Sequence, residues 1–307
     1  MILSPFDKPG HFWRGNMHCH STRSDGALPP EEVARRYRAQ GYDFYCQSDH
    51  FMDQFGYPIT DTTAFRTDDF TTIIGAELHA PGLLNGEIWH LLGVGLPLDF
   101  APPTPGESGP DLARRAQDAG AFVAIAHPQW YGLTLEDART IAFADAIEVY
   151  NHTCAVQADR PDGTYLLDRM LLDGLHLNAI ATDDAHFRDE VNSNADAFGG
   201  WVMVKSDALT PVALLAALKA GDYYASQGPD FHRISVEDDT LTIHCSSVDR
   251  VTVLGPRARS ATQSGKSMTT ATIPLAQFAG DWLRVVLTDA AGKRAWSNPV
   301  TISAKAA

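Results

Sequence analysis

Over roughly the first 185 residues, short apolar runs alternate with segments of helical period. The runs read GNMHCHS, DFYCQSDH, TTIIGAELH, IWHLLGVGL, AFVAIAHP, DAIEVYN and LNAIATDDAH, separated by stretches such as PPEEVARRYRAQGY and LARRAQDAG. This is the rhythm of β-α-β units, and it predicts a parallel sheet or barrel. Asp25-Gly26 turns the chain ahead of a first helix, Pro29-Pro30 suit its first positions, and Glu31-Glu32 suit the positive end of its dipole. The Pro/Gly-rich stretch 101–110 reads as a loop before a helix over 111–119, and a last helix, PVALLAALKAG, ends at Gly221. Beyond Gly228 the pattern becomes short β-branched strands with Asp/Gly turns, as in a β-sandwich. The expected organisation is an α/β barrel over residues 1–228 and a small all-β sandwich over 229–307.

Length and charge narrow this picture. A chain of 307 residues accommodates two domains, or one barrel with an appendage. The formal charge is −14, carried by residues 1–228 (31 acids, 15 bases) rather than by the tail (7 acids, 9 bases). With no basic stripe, binding to a nucleic-acid backbone is not expected. No apolar run reaches about 18 residues and Met1–Arg14 lacks the pattern of a secretory signal, so a cytoplasmic protein without a membrane span is expected. Cys19, Cys46, Cys154 and Cys245 are widely spaced without a CxxC pair, and read as reduced, small apolar residues.

Histidine carries the candidate chemistry. On a strand, residues i and i+2 share a face, so His18 and His20 point together and Cys19 points away. Such a pair suits two ligands of one ion, or is simply two satisfied imidazoles. Its company is informative: Asp25, Asp49-His50, Glu77, His90, His127 and Asp184-Ala185-His186 all fall at or near the ends of successive strands, where barrel enzymes hold their chemistry. Each alone has an ordinary reading, Asp25 as a turn residue, Asp49 and Asp184 as strand-end caps, His90 as a satisfied core histidine. Together, imidazoles and carboxylates in this number can hold two or three divalent ions, and clustered carboxylates would otherwise repel one another.

These segments resemble the polymerase and histidinol phosphatase (PHP) superfamily of metal-dependent hydrolases. HCHSTRSDG is similar to its HxHTxxSDG opening, QSDH to its TDH motif, GAELH to its strand-end Glu, WHLLGVG to its HxxG strand, IAHP to its histidine-proline motif and TDDAH to its closing SDAH, in that order across residues 16–186. The tail resembles the branch that includes carbaryl-hydrolase-like enzymes. The resemblance implies a distorted (β/α)7 barrel whose strand ends hold a di- or trinuclear centre of Mn, Zn or Fe. It implies that His18, His20, Glu77 and Asp184 surround one metal, that Glu77 is shared with a second taking His90 and His127, and that a third takes Asp25, His50 and His186. Gln47-Ser48 replaces the family's usual Ile-Thr before Asp49-His50, and some relatives carry His one position after Asp25.

Divalent ions sharing a carboxylate can share a water, lower its pKa and present hydroxide to phosphorus or carbonyl carbon. No GxSxG elbow occurs, and Ser24 and Ser48 read as turn or supporting residues. Arg23 and Arg188 are candidate catalytic and substrate-binding cations, or surface arginines paired with acids. Asn151 is a candidate substrate contact, and His152 a candidate proton donor or a hydrogen-bonded structural residue. Trp89, Trp130 and Tyr131 read first as core, while His11, His176, His232 and His244 match no motif. The expected function is hydrolysis of a small soluble phosphate ester, an anionic small-molecule partner, by a metal-bridging hydroxide. Alternatives are a carbamate or carboxyl-ester hydrolase using the same centre, and a non-catalytic metal-stabilised binding module.

Overall fold

The first apolar runs do form strands. A computed structural model describes residues 1–189 and 194–302. Its order begins β1 (His11–Asn16), α1 (Pro30–Ala39), β2 (Phe44–Gln47), β3 (His50–Phe51), β4 (Thr71–Ala80), β5 (Trp89–Val94), α2 (Gly109–Asp118) and β6 (Phe122–Ile125). It continues through α3 (Leu135–Thr140), β7 (Ala146–Asn151), α4 (His152–Ala158), α5 (Thr164–Leu172) and β8 (Asn178–Thr182). Then come β9 (Trp201–Ser206), α6 (Pro211–Ala220) and β10 (Tyr223–Ser226). Helix starts follow local chemistry: Ser108, Thr134, Asn151 and Thr210 each accept a backbone N–H of the first turn. Gly221 closes α6 with φ +73°, the left-handed conformation that glycine adopts freely.

Strands β1, β2 and β4 are parallel neighbours, as are β6, β7 and β8. The expectation of parallel pairing throughout is corrected at β5, which runs antiparallel to both β4 and β6. Only residues 81–88 join β4 to β5, too few for a parallel crossover. Past β8 the chain turns back towards β1: Asp184 N–H donates to the His18 carbonyl and His20 N–H to the Ala185 carbonyl, both at 2.8 Å, and Cys19 bridges Ala185. On the other flank Ser48 N–H donates to the Cys19 carbonyl at 3.0 Å. The carboxyl ends of β1, β2 and β8 are therefore stitched side by side.

Two apolar layers support this arrangement. Leu112, Ala113 and Ala116 of α2 pack with Leu91, Val123 and Ile125, while Phe44, Val94, Phe122, Val202, Leu214 and Leu218 form a second cluster. The tail strands are β11 (Phe231–Glu237), β12 (Thr240–Leu254), β13 (Ser260–Pro274), β14 (Trp282–Thr288), β15 (Arg294–Ser297) and β16 (Val300–Thr301). They bury their own core, including Ile234, Ile243, Val251, Val253, Leu283 and Val285. Yet β15 pairs antiparallel with β10, and β10 with β9, so one hydrogen-bonded path of strands runs from the tail into the first part of the chain. The Asn298 side chain adds a second tie, accepting from Ala179 N–H of β8 and donating to the Gly221 and Tyr223 carbonyls, each at 3.0 Å. No helix of the described residues is long and apolar enough to cross a membrane.

Candidate metal centre

The stitched strand ends bring the histidines together. His18 and His20 extend from the end of β1 with ring centroids 5.2 Å apart. Glu77 projects from β4 between them and the histidines of neighbouring strands. Its Oε1 lies 2.8 Å from His90 Nδ1 and 3.2 Å from His127 Nε2. Its Oε2 lies 2.6 Å from His50 Nδ1 and 3.6 Å from Nε2 of both His18 and His20. Asp184 Oδ1 approaches the same two imidazoles at 3.2 and 2.9 Å. At the mouth, Asp25 Oδ1 stands 3.4 Å from Nε2 of both His50 and His186. His127 and Asp184 adopt positive φ (20° and 58°), a conformation that costs free energy away from glycine and that the surrounding bonds hold in place.

The donors fall into overlapping sets in which every donor atom lies within 4.8 Å of the others. These are His20, Asp25, His50 and His186; His18, His127 and Asp184; His18, His20 and Glu77; His50, Glu77 and His79; and Glu77, His90 and His127. All nine ligands implied by the sequence resemblance thus share one neighbourhood, with His20 reaching the Asp25 set as well as Glu77. His18 Nε2, His20 Nδ1, Asp25 Oδ1, Glu77 Oε2 and His127 Nδ1 are buried without a hydrogen-bond partner. Buried polar atoms are rarely left so, because desolvation costs about 1–3 kcal/mol each. Lone pairs that converge without donors are what a divalent cation satisfies, and mixed imidazole and carboxylate sets suit Zn, Mn or Fe. The residues fit metal.

Electrostatics point the same way. Burial works against ionisation of Glu77, yet the neighbouring His50, His79 and His90 hold its carboxyl well below the usual range. Asp184 is likewise held down, against burial, by His18, His20 and His186, and Asp25 by His186 and His50. Burial lowers the histidines, and it wins at His20, helped by His50 and His186, and at His90, which falls to about 4. At His50 burial loses to Glu77 and Asp25, which lift it to about 10. The cluster therefore holds ionised carboxylates beside imidazoles of both kinds: His20 and His90 are pushed towards the neutral form, while neighbouring carboxylates lift His18, His50, His127 and His186.

A second layer fixes the ligands. Glu148, buried in β7, lies 2.7 Å from His18 Nδ1, accepts the His127 N–H at 2.7 Å, and accepts from Thr182 and Asn151. Asp49 accepts from Ser21 and, at 2.8 Å, from Ser24. Ser48 Oγ donates to the Cys19 carbonyl, so both serines support neighbouring segments. Asp196 accepts the His186 N–H at 2.8 Å.

A cavity of about 230 Å³ opens onto the centre, bordered by Asp25, His50, His90, His127, Asp184 and His186, with Trp130, Thr153, Cys154, Gln157, Ala158 and Arg188 around it. Arg188 places Nη2 2.6 Å from Asp25 Oδ2 and is half exposed. Trp130 is 43% exposed at this rim, whereas Trp89 is core and Tyr131 is buried with its ring against His90. Arg23 is exposed and lies outside the cavity lining. The Asn151 amide is engaged by Glu148 (3.0 Å) and Asp184 (3.2 Å), and its oxygen caps α4. His152, the first residue of α4, turns away: Nδ1 lies 2.8 Å from the Tyr150 hydroxyl and its ring packs on Gly199. His11, His176, His232 and His244 are all exposed. His79 and Glu148 are the buried partners that the motifs did not name. His79 repeats the i, i+2 spacing with Glu77, and Glu148 is a lone charge inside an apolar strand, AIEVY.

No family model matches the sequence, and no curated protein matches it either. Among solved structures, a two-domain protein from Bacteroides vulgatus, described as containing a predicted PHP-like metal-dependent phosphoesterase, aligns with a TM-score of 0.54 at 16% identity, covering 98% of each chain. A protein from Bifidobacterium adolescentis, assigned provisionally as a metal-dependent phosphoesterase, aligns at TM-score 0.43 and 16% identity over 58% of this chain and 89% of its own. An amidohydrolase from Chromobacterium violaceum, with bound sulfate and no metal, aligns at 0.39 and 16% over 56% and 87%. The end-to-end alignment with the Bacteroides protein shows that this chain shares its fold.

Proposed function

We propose that this protein is a metal-dependent phosphoesterase acting on a small, soluble phosphate ester. The observation that carries the reading is the convergence of seven imidazoles with Asp25, Glu77 and Asp184 around buried lone pairs that lack donors. We read β1, β2, β4, β5, β6, β7 and β8 as the strands of a distorted (β/α)7 barrel, residues 1–228 as its domain and 229–307 as an appended β module. Two or three ions of Mn, Zn or Fe would be held by His18, His20, Asp25, His50, Glu77, His90, His127, Asp184 and His186. Such ions lower the pKa of water and stabilise the anionic charge of the transition state.

The protein's own residues do the rest. Arg188 stands at the cavity mouth with donors that suit a phosphate oxygen bidentately. Trp130 offers an exposed ring against which the organic part of the ester packs. Glu148 and Asn151 hold the buried ligands in one orientation, so little reorganisation is needed during reaction. The −14 net charge does not oppose an anionic substrate, because divalent ions bound at the mouth would outweigh the carboxylates there.

Elemental analysis of protein purified without chelator should find two or three ions per chain. The manganese- or zinc-loaded protein should then turn over members of a panel of phosphomonoesters and cyclic phosphodiesters, and a His18→Ala/His20→Ala variant should not. A wild type that carries no metal and is indistinguishable from that variant would refute the reading. Phenol release from an aryl carbamate with no phosphate from any ester would transfer it to carbamate hydrolysis.

A further inference from the structure

His79 has no counterpart in the ligand pattern read from the sequence, yet it shares a face of β4 with Glu77. Its ring is buried, and Nδ1 lies 3.2 Å from the Trp89 carbonyl oxygen. A carbonyl only accepts, so Nδ1 carries the proton and Nε2 is left with a lone pair. That lone pair faces His50 Nδ1 at 2.9 Å, and Glu77 Oε2 lies 2.6 Å from the same His50 atom and 3.5 Å from His79 Nε2. Three electron-rich atoms this close need either a cation or a proton between them. The 2.9 Å separation of His50 Nδ1 from His79 Nε2 is that of an N–H donor with its acceptor, and the only proton of the neutral His79 is already committed to the Trp89 carbonyl. The proton therefore sits on His50 Nδ1. The other nitrogen of His50, Nε2, faces the Asp25 carboxylate at 3.4 Å and is the atom left for an ion there.

We propose that His79 is a positioning residue of the metal centre: its Nε2 accepts the Nδ1 proton of His50, fixing the tautomer and ring plane that present His50 Nε2 to the ion shared with Asp25 and His186. The Phe55 ring lies nearly parallel to His50 at 6.1 Å and restricts it further. Partners that orient a ligating histidine in this way typically contribute 10–100-fold to metal affinity. The inference rests on the metal-centre reading above but not on the identity of the substrate.

The test is cobalt(II) titration of the chelator-treated full-length chain, followed by calorimetry and by the visible absorption of bound cobalt. Wild type, His79→Leu and His79→Gln are compared, since the glutamine oxygen can stand in for Nε2 as acceptor. One ion should bind His79→Leu about 10–100-fold more weakly than wild type, with its cobalt spectrum altered. The others should keep their affinity, and His79→Gln should recover most of the loss. Should His79→Leu not fold, nitrogen-15 histidine spectra of the zinc-loaded wild type carry the test: His50 must show a protonated, strongly downfield Nδ1 and a metal-bound Nε2. Unchanged titrations in His79→Leu, complete loss of one ion from both variants, or an unprotonated His50 Nδ1 would each overturn the proposal. A wild type that binds no cobalt would instead overturn the metal-centre reading itself.

Discussion

The floor and the mouth of the centre are built differently. At the floor His18, Glu77 and His127 are fully enclosed, and Glu148 grips both His18 and the His127 backbone from behind. At the mouth Asp25, His50 and His186 are partly exposed, and Asp25 is held from outside by the half-exposed Arg188. The floor is fixed by groups that cannot move without disturbing β4, β6 and β7. The mouth is fixed by a salt bridge that an incoming anion can compete for. The proposed function, which requires ions to be held firmly and substrate to be admitted repeatedly, would gain from this separation of rigid ligands and exchangeable charge.

The strongest way to break this contrast is Glu77→Gln, because the Glu77 carboxylate lies against His18 and His127 at the floor and against His50 at the mouth. Metal content should fall by at least one ion, and kcat/KM should drop by roughly 10³-fold, the scale of several kcal/mol of lost charge stabilisation. Glu148→Gln should act on the floor alone, weakening ion binding there about 10–100-fold while leaving the mouth intact, as measured by competition with a chromophoric chelator. Graded chelation should strip the mouth first. An ion present at 100 times its Kd contributes about 2.7 kcal/mol to stability, so removal should lower Tm in steps, whereas a single step would show floor and mouth to be one unit. Arg188→Ala should raise KM for anionic substrates about tenfold, or ~1.4 kcal/mol, with kcat and Tm little changed.

The smallest effect serves as a baseline away from both regions. The Glu32 carboxyl on α1 is held at about 2 by Arg35 and then by Arg36. Since this lies below its usual 4.5, the contribution is present above pH 4.5 and is lost as pH falls towards 2. The group is exposed, so it contributes no more than ~1 kcal/mol. Thermal melts at pH 5 and pH 3 should show Glu32→Gln losing slightly less stability on acidification than wild type.

The sequence made the mouth and floor legible as a set of donors, because strand ends are local features and His18-Cys19-His20 declares its own face. It did not show which donors approach which, since that depends on the return of residues 184–186 to residues 18–20. Glu148 passed as one polar letter in an apolar run, although a buried charge in such a run needs a partner. The antiparallel course of β5 was encoded in the eight-residue connection after β4, a signal of length rather than of residue type. His152 follows a strand end in sequence but begins a helix, and the first helical turn rotates its ring out of the cavity. The continuation of the sheet into the tail rests on the pairing of β10 with β15, more than sixty residues apart, which no local pattern reveals.

Asn298 gives that long-range pairing a temporal side. Its three bonds join β8 to the turn and strand around α6 and β10, across a gap of 119 residues from Ala179. During synthesis every proposed ligand leaves the ribosome long before this amide does, so the strand ends must be held provisionally by their own pairing until it arrives. Contacts of such separation form late and slowly. The last clasp on the centre is therefore made by a residue that never touches it.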